Sequence, residues 1–297
     1  KILVVGAGPA GLEAARALGQ RGYAVTLAEA TTELGGRVLV ESRLPGLSDW
    51  RRVIDYRIQQ LKQLSNIDIY FSSRLTVDDI MGFDFPRIIL ATGATWRNDG
   101  LGRWHSQPLE TFSAKEIYTP DDLMRNVHID GPVVVYDDDH YYMGPVLAEK
   151  LQQMGNDVTM VTPSGYVSEW GKYTEEHDRT QARILGLGIR ILTGKAVSGF
   201  QNRSAEITCV YTGKRTHLPA SALVTVTARK ANDALYAQLM KDPKITQDNG
   251  IKTVTRIGDC LAPGIIAAAI YSGHRAAREM DAPQQNTLSF LRERVVV

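Results

Sequence analysis

A glycine-rich turn directly after an apolar strand constrains the fold of this chain more than any other feature. Residues 2–5 are apolar and predict a buried strand; Gly6-Ala7-Gly8-Pro9-Ala10-Gly11 and an Ala- and Leu-rich helical stretch follow. In such a turn the first glycine permits a tight bend, and the second lets a pyrophosphate approach the backbone. The third glycine lets the helix pack on the sheet, and the helix N-terminus presents N–H groups to the phosphate. The pattern therefore predicts a βαβ unit that binds an ADP group.

An acidic residue at the end of the next strand supports this interpretation. Glu29 follows the apolar run 24–28 and precedes Ala30. It lies about twenty residues beyond the glycines, where a carboxylate accepts hydrogen bonds from an adenosine ribose. The alternative is a glycine turn in some other βαβ unit, and that alternative does not account for Glu29. The glycine-turn residues, Glu29 and Ala30 are therefore candidate cofactor-binding residues.

Composition limits the other classes of function. The chain has 297 residues, is 43% hydrophobic and carries a formal net charge of +1, which suits one large or two medium domains and gives no reason to expect nucleic-acid or membrane partners. No apolar run is long enough to span a bilayer, and no signal peptide is visible. Cys209 and Cys260 form no CxxC pair and are too few for a typical iron–sulfur cluster, so we expect a reducing, cytoplasmic location.

The opening pattern recurs once along the chain. Strand 133–136, helix 145–154 and strand 157–162 repeat the order of residues 1–30. We therefore predict an α/β protein with two Rossmann-like nucleotide-binding domains, the second inserted into the first. The predicted first domain is discontinuous, 1–104 plus 251–297, and the second is 105–250. Residues 189–223 alternate between apolar and polar, which predicts antiparallel strands.

The second fold has lost the chemistry of its turn. Alignment with the opening strand places Asp137, Asp139 and Tyr142 at the three glycine positions, and Thr162 replaces the ribose-binding acid. One like-charge contact near 4 Å costs about 4 kcal/mol at the dielectric of a protein surface, so NADH or NADPH is not expected to bind here in the usual manner. The carboxylates of residues 137–139 with His140 raise the question of a metal site, but adjacent residues do not converge easily on one ion. A solvated acidic turn is the favoured alternative, and no metal ligands are predicted.

Several motifs together make this chain resemble a known class of flavoproteins. They are Gly6 to Gly11, Glu29, Gly35-Gly36, Pro45-Gly46-Leu47 with Trp50, Ala91 to Trp96, Tyr142-Met143 with Ala148 to Leu151, and Gly258-Asp259. The chain resembles the glutathione-reductase-type flavoproteins, and within them the C-terminal half of the trimethylamine, dimethylamine and histamine dehydrogenases and of bacterial 2,4-dienoyl-CoA reductase. The resemblance implies that a β/α barrel with FMN and a 4Fe-4S cluster precedes this region. The abrupt start at Lys1, without Met, agrees with a piece of a longer chain.

The same resemblance adds candidate cofactor-binding residues. It implies that Thr92 and Gly93 lie close to the nucleotide and that Asp259 accepts a hydrogen bond from a ribose or ribityl hydroxyl. The alternatives are an ordinary strand-end turn for Thr92-Gly93 and a cap or turn role for Asp259. Gly36 and Arg37 complete the set. Arg37 is a candidate partner of a phosphate, with a solvated surface arginine as the alternative.

The implied function is that of an oxidoreductase acting on the C–N bond of an amine. This chain would be the ADP- or FAD-binding region of an FMN and 4Fe-4S amine dehydrogenase or N-demethylase, passing electrons to an electron-transferring flavoprotein. The small amine would bind on the barrel, no catalytic residue is assigned to this chain, and the full-length protein is expected to be a homo-oligomer. An NAD(P)H-dependent flavin reductase of the 2,4-dienoyl-CoA reductase type and a non-catalytic nucleotide-binding module remain alternatives.

The stretch from Asp49 to Arg57 suggests a further hypothesis. It is basic and contains Trp50 and Tyr56, so we expect part of it to be exposed near an acceptor-docking face. The alternative is an amphipathic helix that uses Trp50 and Ile54 as core residues.

Overall fold

A computed structural model describes residues 1–112, 115–241 and 248–282. In chain order the elements are β1 (Ile2–Val5), α1 (Pro9–Gln20), β2 (Val25–Ala28), α2 (Arg37–Glu41), α3 (Arg51–Lys62), β3 (Ile67–Tyr70), α4 (Val77–Gly82), β4 (Arg87–Leu90), β5 (Ala94–Trp96), β6 (Ile117–Tyr118), α5 (Pro120–Met124), β7 (Val133–Asp137), α6 (Met143–Gln153), β8 (Val158–Val161), α7 (His177–Gly186), β9 (Arg190–Leu192), β10 (Lys195–Gln201), β11 (Ser204–Cys209), β12 (Arg215–Pro219), β13 (Ala222–Val226), β14 (Arg229–Ala231), α8 (Ala234–Lys241), β15 (Thr253–Arg256) and α9 (Ile266–Arg278). Short 3-10 helices span Ser48–Trp50, Glu169–Thr174 and Gly258–Cys260.

The chain divides into two structural units. The first unit comprises Lys1–Gly35, Ile54–Thr92 and Asp233–Val297, and the second comprises Gly36–Val53 and Gly93–Asn232. The contacts thus group residues 36–53 and 93–104 with the second unit, and residues 233–241 and 248–250 with the first. The domain limits given above, 1–104 plus 251–297 and 105–250, stay a prediction.

The first unit contains a five-stranded parallel sheet in the order β15-β4-β1-β2-β3. All four residues of β1 are buried, as expected for the centre of a parallel sheet covered on both faces. Helix α1 follows after three residues and begins at Pro9, a position where proline loses no helical hydrogen bond. Leu3, Val5 and Leu90 belong to a buried apolar cluster of this unit, which also includes Leu239 and Ile251.

The second unit repeats this architecture. Its parallel sheet has the order β6-β13-β7-β8-β9, and β7 carries two alternating sets of side chains. Val133 and Val135 pack in one buried cluster, and Val134 and Tyr136 in another. All strands of this sheet lie between β4 and β15 in sequence, so the predicted insertion of the second Rossmann-like fold into the first is confirmed.

Two smaller antiparallel sheets also belong to the second unit. Strands β10, β11 and β12 form a three-stranded sheet, as the alternating pattern of residues 189–223 predicts. Strands β5 and β14 pair with each other at the two ends of the long segment 93–232.

Candidate nucleotide site

The glycine turn of the first unit leaves open space where the sequence predicts a phosphate. Gly6 has φ of +100°, and a Cβ atom there would overlap the carbonyl group of Ala91. A Cβ atom on Gly11 would overlap the carbonyl group of Gly6, so only glycine lets α1 start this close to β1. At Gly8, by contrast, an added Cβ atom would meet nothing within 4 Å among the described residues. The turn is therefore tightly packed at its two ends and open in the middle, beside the first N–H groups of α1.

The carboxylate of Glu29 holds this turn from the end of β2. Its Oε2 accepts a hydrogen bond from the Ala7 N–H at 2.8 Å, and its Oε1 accepts from the N–H and hydroxyl of Thr31, both at 2.9 Å. Only 7% of Glu29 is exposed. Each carboxylate oxygen can accept more than one hydrogen bond, so Glu29 can still accept from a ribose hydroxyl while it fixes the turn. The adjoining Ala30 is exposed.

Thr92 and Asp259 lie in the same unit as the turn. The Thr92 hydroxyl donates to the Sγ atom of Cys260 at 3.1 Å, and Asp259 Oδ1 accepts from the Gly264 N–H at 3.0 Å. Gly258 packs on Ala10, because a Cβ atom built there would lie 2.6 Å from the Ala10 methyl group. Asp259 thus makes the turn contact that the sequence left as its alternative role, and its contact to a sugar hydroxyl stays a prediction.

Gly36, Arg37 and Gly93 belong to the second unit. The Arg37 guanidinium forms an ion pair with Asp121 at 2.9 Å and donates to the Ala94 carbonyl, with 17% of its side chain exposed. The prediction that Arg37 is either a phosphate partner or a solvated arginine did not include this internal pairing. Gly93 has φ of +75°, and its carbonyl accepts from the Asn232 N–H at 2.9 Å.

The acidic turn of the second unit, residues 137–140, is mostly buried rather than solvated. Asp137 and Asp138 are fully buried, so the expectation of a solvated acidic turn is wrong. Asp137 Oδ1 accepts from the His140 N–H at 3.1 Å, and burial raises the pKa of Asp137 to about 7 against the opposing charge of His140. The turn is also longer than in the first unit. Gly144, rather than Tyr142, approaches the strand end, since a Cβ atom on Gly144 would lie 2.6 Å from the Asp137 carboxyl carbon.

Tyr142 and Thr162, the other two residues that the sequence aligned with a nucleotide site, are engaged by contacts within the second unit. Tyr142 donates from its hydroxyl to Glu41 Oε2 at 3.3 Å, and burial together with the Glu41 charge raises the pKa of Tyr142. Thr162, in the position of the ribose-binding acid, is fully buried and lies 3.3 Å from His140 Nδ1. The described residues contain no group of three or more His, Cys, Asp or Glu side chains that could hold a metal ion.

Sequence reasoning missed a buried charge cluster around Glu13 on α1. Glu13 is 3% exposed and binds Arg16, Arg57 and His274 at 2.6, 2.9 and 3.0 Å. Burial raises the pKa of Glu13, but these three partners outweigh it and hold the pKa below its ordinary value. The available signal was an acid and an arginine three residues apart, Glu13 and Arg16, in a helix of mostly apolar residues.

The stretch from Asp49 to Arg57 has one exposed and one buried face, and its role in acceptor docking stays a prediction. Tyr56 is 52% exposed, as the docking hypothesis expects, whereas Ile54 is fully buried. Trp50 packs edge-on against Tyr142 with ring centroids 4.6 Å apart. Arg57 is engaged by Glu13.

Two family models match the chain. Residues 1–136 match the pyridine nucleotide-disulphide oxidoreductase family, and residues 118–234 match the OYE-like second alpha/beta domain. In the described part of the chain, the helices are too short or too polar to cross a membrane.

Known proteins of similar sequence and structure are longer than this chain. Dimethylamine dehydrogenase from Hyphomicrobium sp. (strain x) is 34% identical over 319 aligned residues, which cover 98% of this chain and 43% of that protein. The structure of histamine dehydrogenase from Rhizobium sp. 4-9 superposes with a TM-score of 0.95 at 48% identity, covering 98% of this chain and 46% of that one. The structure of 6-hydroxypseudooxynicotine amine oxidase from Pseudomonas geniculata N1 gives a TM-score of 0.89 at 41% identity, over 93% of this chain and 41% of that one. The chain therefore spans less than half the length of each of these proteins.

Proposed function

We propose that this chain, which belongs to the trimethylamine, dimethylamine and histamine dehydrogenase family and corresponds to its C-terminal region, is the nucleotide-binding part of an iron–sulfur flavoprotein amine dehydrogenase or N-demethylase. The observation that carries the proposal is the pairing of an open Gly8 with a buried, hydrogen-bonded Glu29 in the first unit. Together they offer backbone N–H groups to a pyrophosphate and a carboxylate to a ribose.

The ligand of this site is ADP or FAD. Gly6, Gly8, Pro9, Ala10 and Gly11 would surround the pyrophosphate, because the turn is open only at its centre. Glu29, with Ala30 beside it, would bind the adenosine ribose. Both ligands share this ADP part, so these residues do not distinguish between them. Bound FAD would supply redox chemistry, whereas bound ADP would add stability to the folded state by mass action.

The remaining predicted contacts complete the proposal. Thr92 and Asp259 belong to the first unit, where the Thr92 hydroxyl oxygen and the Asp259 carboxylate could each accept a hydrogen bond from a sugar hydroxyl. Gly36, Arg37 and Gly93 are also retained as candidate cofactor-binding residues. For Arg37 a phosphate contact would compete with its ion pair to Asp121.

The chemistry of the full-length protein lies outside this chain in our proposal. An amine would be oxidised at its C–N bond on a preceding barrel that holds FMN and a 4Fe-4S cluster. The electrons would pass to an electron-transferring flavoprotein or a similar acceptor, in a cytoplasmic homo-oligomer. The buried acids of the second turn support an amine rather than NAD(P)H as the electron donor, since a dinucleotide pyrophosphate would meet Asp137 where a working site has a glycine, with the buried Asp138 beside it.

Anaerobic reduction of the full-length protein tests this function. Small amines such as histamine and dimethylamine are added in turn to the oxidised protein, and the flavin absorbance is followed. We expect at least one amine to bleach the flavin, while NADH and NADPH leave it oxidised. Bleaching by NADPH, with no response to any amine, would instead support the flavin reductase alternative.

A further inference from the structure

A segment of the second unit lies directly on the acidic turn. It runs from Asp99 to His105 and is called the 99–105 segment here. Asp138 Oδ2 accepts two hydrogen bonds from it, from the Arg103 N–H at 2.6 Å and from the Trp104 N–H at 2.9 Å. Asp138 is fully buried, so these N–H groups satisfy one oxygen of a carboxylate that solvent does not reach. Its other oxygen, Oδ1, lies 3.4 Å from His140 Nε2. The contact therefore joins the segment to the turn by two charge-assisted hydrogen bonds.

The position of this contact is the place where a Rossmann-like sheet binds its ligand. Strands β7 and β13 are neighbours, and the chain order reverses between them, with β8 and β9 on one side and β6 on the other. Ligands of such sheets bind outside the carboxyl ends of the strands at this switch point. The N–H groups of Asp138 and Asp139 donate to the Val226 carbonyl at the end of β13, at 2.8 and 3.0 Å. Gly102 lies against Thr227, the residue that follows Val226. A Cβ atom added to Gly102 would lie 3.1 Å from the Cβ atom of Thr227.

The hydrogen bonds run in the opposite sense to those of a working site. In a dinucleotide site the turn after the first strand donates N–H groups to an anionic phosphate. Here the turn supplies the anion, Asp138, and two consecutive backbone N–H groups of the 99–105 segment surround it as they would surround a phosphate oxygen. Within the segment the Gly102 N–H donates to the His105 carbonyl, and His105 Nε2 lies 3.0 Å from the Val197 carbonyl on β10.

We propose that the 99–105 segment is a built-in plug of the second dinucleotide fold, and that Asp138 is the specificity-determining residue that holds it there and so excludes reduced pyridine nucleotides. Acid side chains alone would repel a phosphate. The 99–105 segment would in addition exclude the ligand sterically, because its backbone occupies the crevice at the carboxyl ends of β7 and β13. The proposal concerns the second unit only and holds whether or not the first unit binds ADP.

Hydrogen exchange of the full-length protein measures how firmly the plug is held. In Asp138→Ala the amides of Arg103 and Trp104 lose their acceptor, and we expect their exchange to accelerate about tenfold to a hundredfold, the range for hydrogen bonds to a charged group. The control is Asp157→Ala, which removes an equal charge from an exposed position just before β8, at the amino ends of the strands and so away from the acidic turn. It should leave both amides at the wild-type rate. Unchanged exchange in Asp138→Ala would overturn the proposal.

Two further variants and a second readout separate a plug from an ordinary structural contact. Asp138→Asn keeps the size and one acceptor oxygen, so it should fold even where Asp138→Ala does not, and its two amides should exchange faster by about tenfold or less. Binding of NADH is then followed by quenching of Trp104, whose side chain is 47% exposed. We expect no binding by the wild-type protein and a gain in affinity of at least about tenfold in Asp138→Gly. A wild-type protein that binds NADH, or an Asp138→Gly protein with an opened segment and no gain, would contradict the proposed exclusion.

Discussion

Replacement of Glu29 by glutamine changes one atom of the candidate nucleotide site and has a calculable effect. The carboxylate accepts from the Ala7 N–H with one oxygen and from the Thr31 N–H and hydroxyl with the other. A glutamine has a single acceptor oxygen, so its NH₂ group must face one of the two backbone N–H donors. Because the site is buried, that donor is left without a partner, at a cost of about 1–3 kcal/mol.

The same substitution weakens nucleotide binding. A ribose hydroxyl that donates to a carboxylate makes a charge-assisted hydrogen bond, worth about 1.5–3 kcal/mol. We therefore expect Glu29→Gln to lower the affinity for ADP by about tenfold to a hundredfold, since 1.4 kcal/mol corresponds to a factor of ten. The melting temperature without nucleotide should fall by several degrees. Isothermal titration of nucleotide-free full-length protein and differential scanning calorimetry give the two quantities.

Asp68→Asn is the matched control for Glu29→Gln. Asp68 is an exposed acid on β3, the strand next to β2, and its replacement changes the net charge by the same amount. It should leave ADP affinity and melting temperature near their wild-type values. An ADP affinity of Glu29→Gln equal to that of wild type would refute the assignment of Glu29 to the ribose.

Three further predictions concern packing and ionisation. Gly273→Ala should lower the free energy of unfolding by about 1–3 kcal/mol in urea titrations, because its methyl group would overlap the backbone of α1. Asp137 has a folded-state pKa of about 7, above its unfolded value, so its contribution to stability is complete below about pH 4 and is lost as pH rises through 7. The free energy of unfolding of the wild-type protein should therefore fall by on the order of 4 kcal/mol between pH 4 and 8 through this group, and that fall should be absent in Asp137→Asn. Hydrogen bonds from the Thr212 hydroxyl and from the backbone N–H groups of Thr212 and Tyr211 lower the pKa of Cys209 to about 7. The rate of its alkylation by iodoacetamide should therefore be half-maximal near pH 7, and this midpoint should move to higher pH in Thr212→Val.

Each of these predictions has its own control. Gly186→Ala introduces a methyl group into open space on α7 and should not destabilise the protein, so equal losses in the two alanine variants would contradict the packing argument. Parallel pH dependences of wild type and Asp137→Asn would rule out Asp137 as a buried neutral acid. Cys260 is fully buried and serves as the slow internal reference in the alkylation experiment.

The first dinucleotide fold could be predicted from the sequence because its determinants are local. Gly6, Gly11 and Glu29 each act through contacts within the first βαβ unit or to the adjoining strand, and the spacing alone identifies them. The insertion of the second fold followed from the repeated pattern for the same reason. The expected chemistry of the full-length protein came from the family resemblance, because no motif in this chain indicates it.

The second turn could not be predicted in detail because its partners are distant in sequence. The ring of Tyr142 was placed at the third glycine position by alignment, but a longer turn gives that contact to Gly144. The sequence shows Asp138 only as one acid of a run, whereas in the structure its Oδ2 accepts from the N–H groups of Arg103 and Trp104, more than thirty residues earlier. Arg37 likewise pairs with Asp121 across 84 residues. Motif spacing and hydrophobic periodicity report only on residues close in sequence, so they do not predict such pairings.

The two dinucleotide folds can be compared in a single experiment on the full-length protein. Its bound nucleotide is removed, and ADP and NADH are titrated separately while hydrogen exchange is followed at residues 6–11 and 137–144. Our account predicts that ADP binds and slows exchange only at residues 6–11, and that NADH leaves residues 137–144 unchanged. Protection of residues 137–144 by NADH, or failure of ADP to protect the glycine turn, would contradict it.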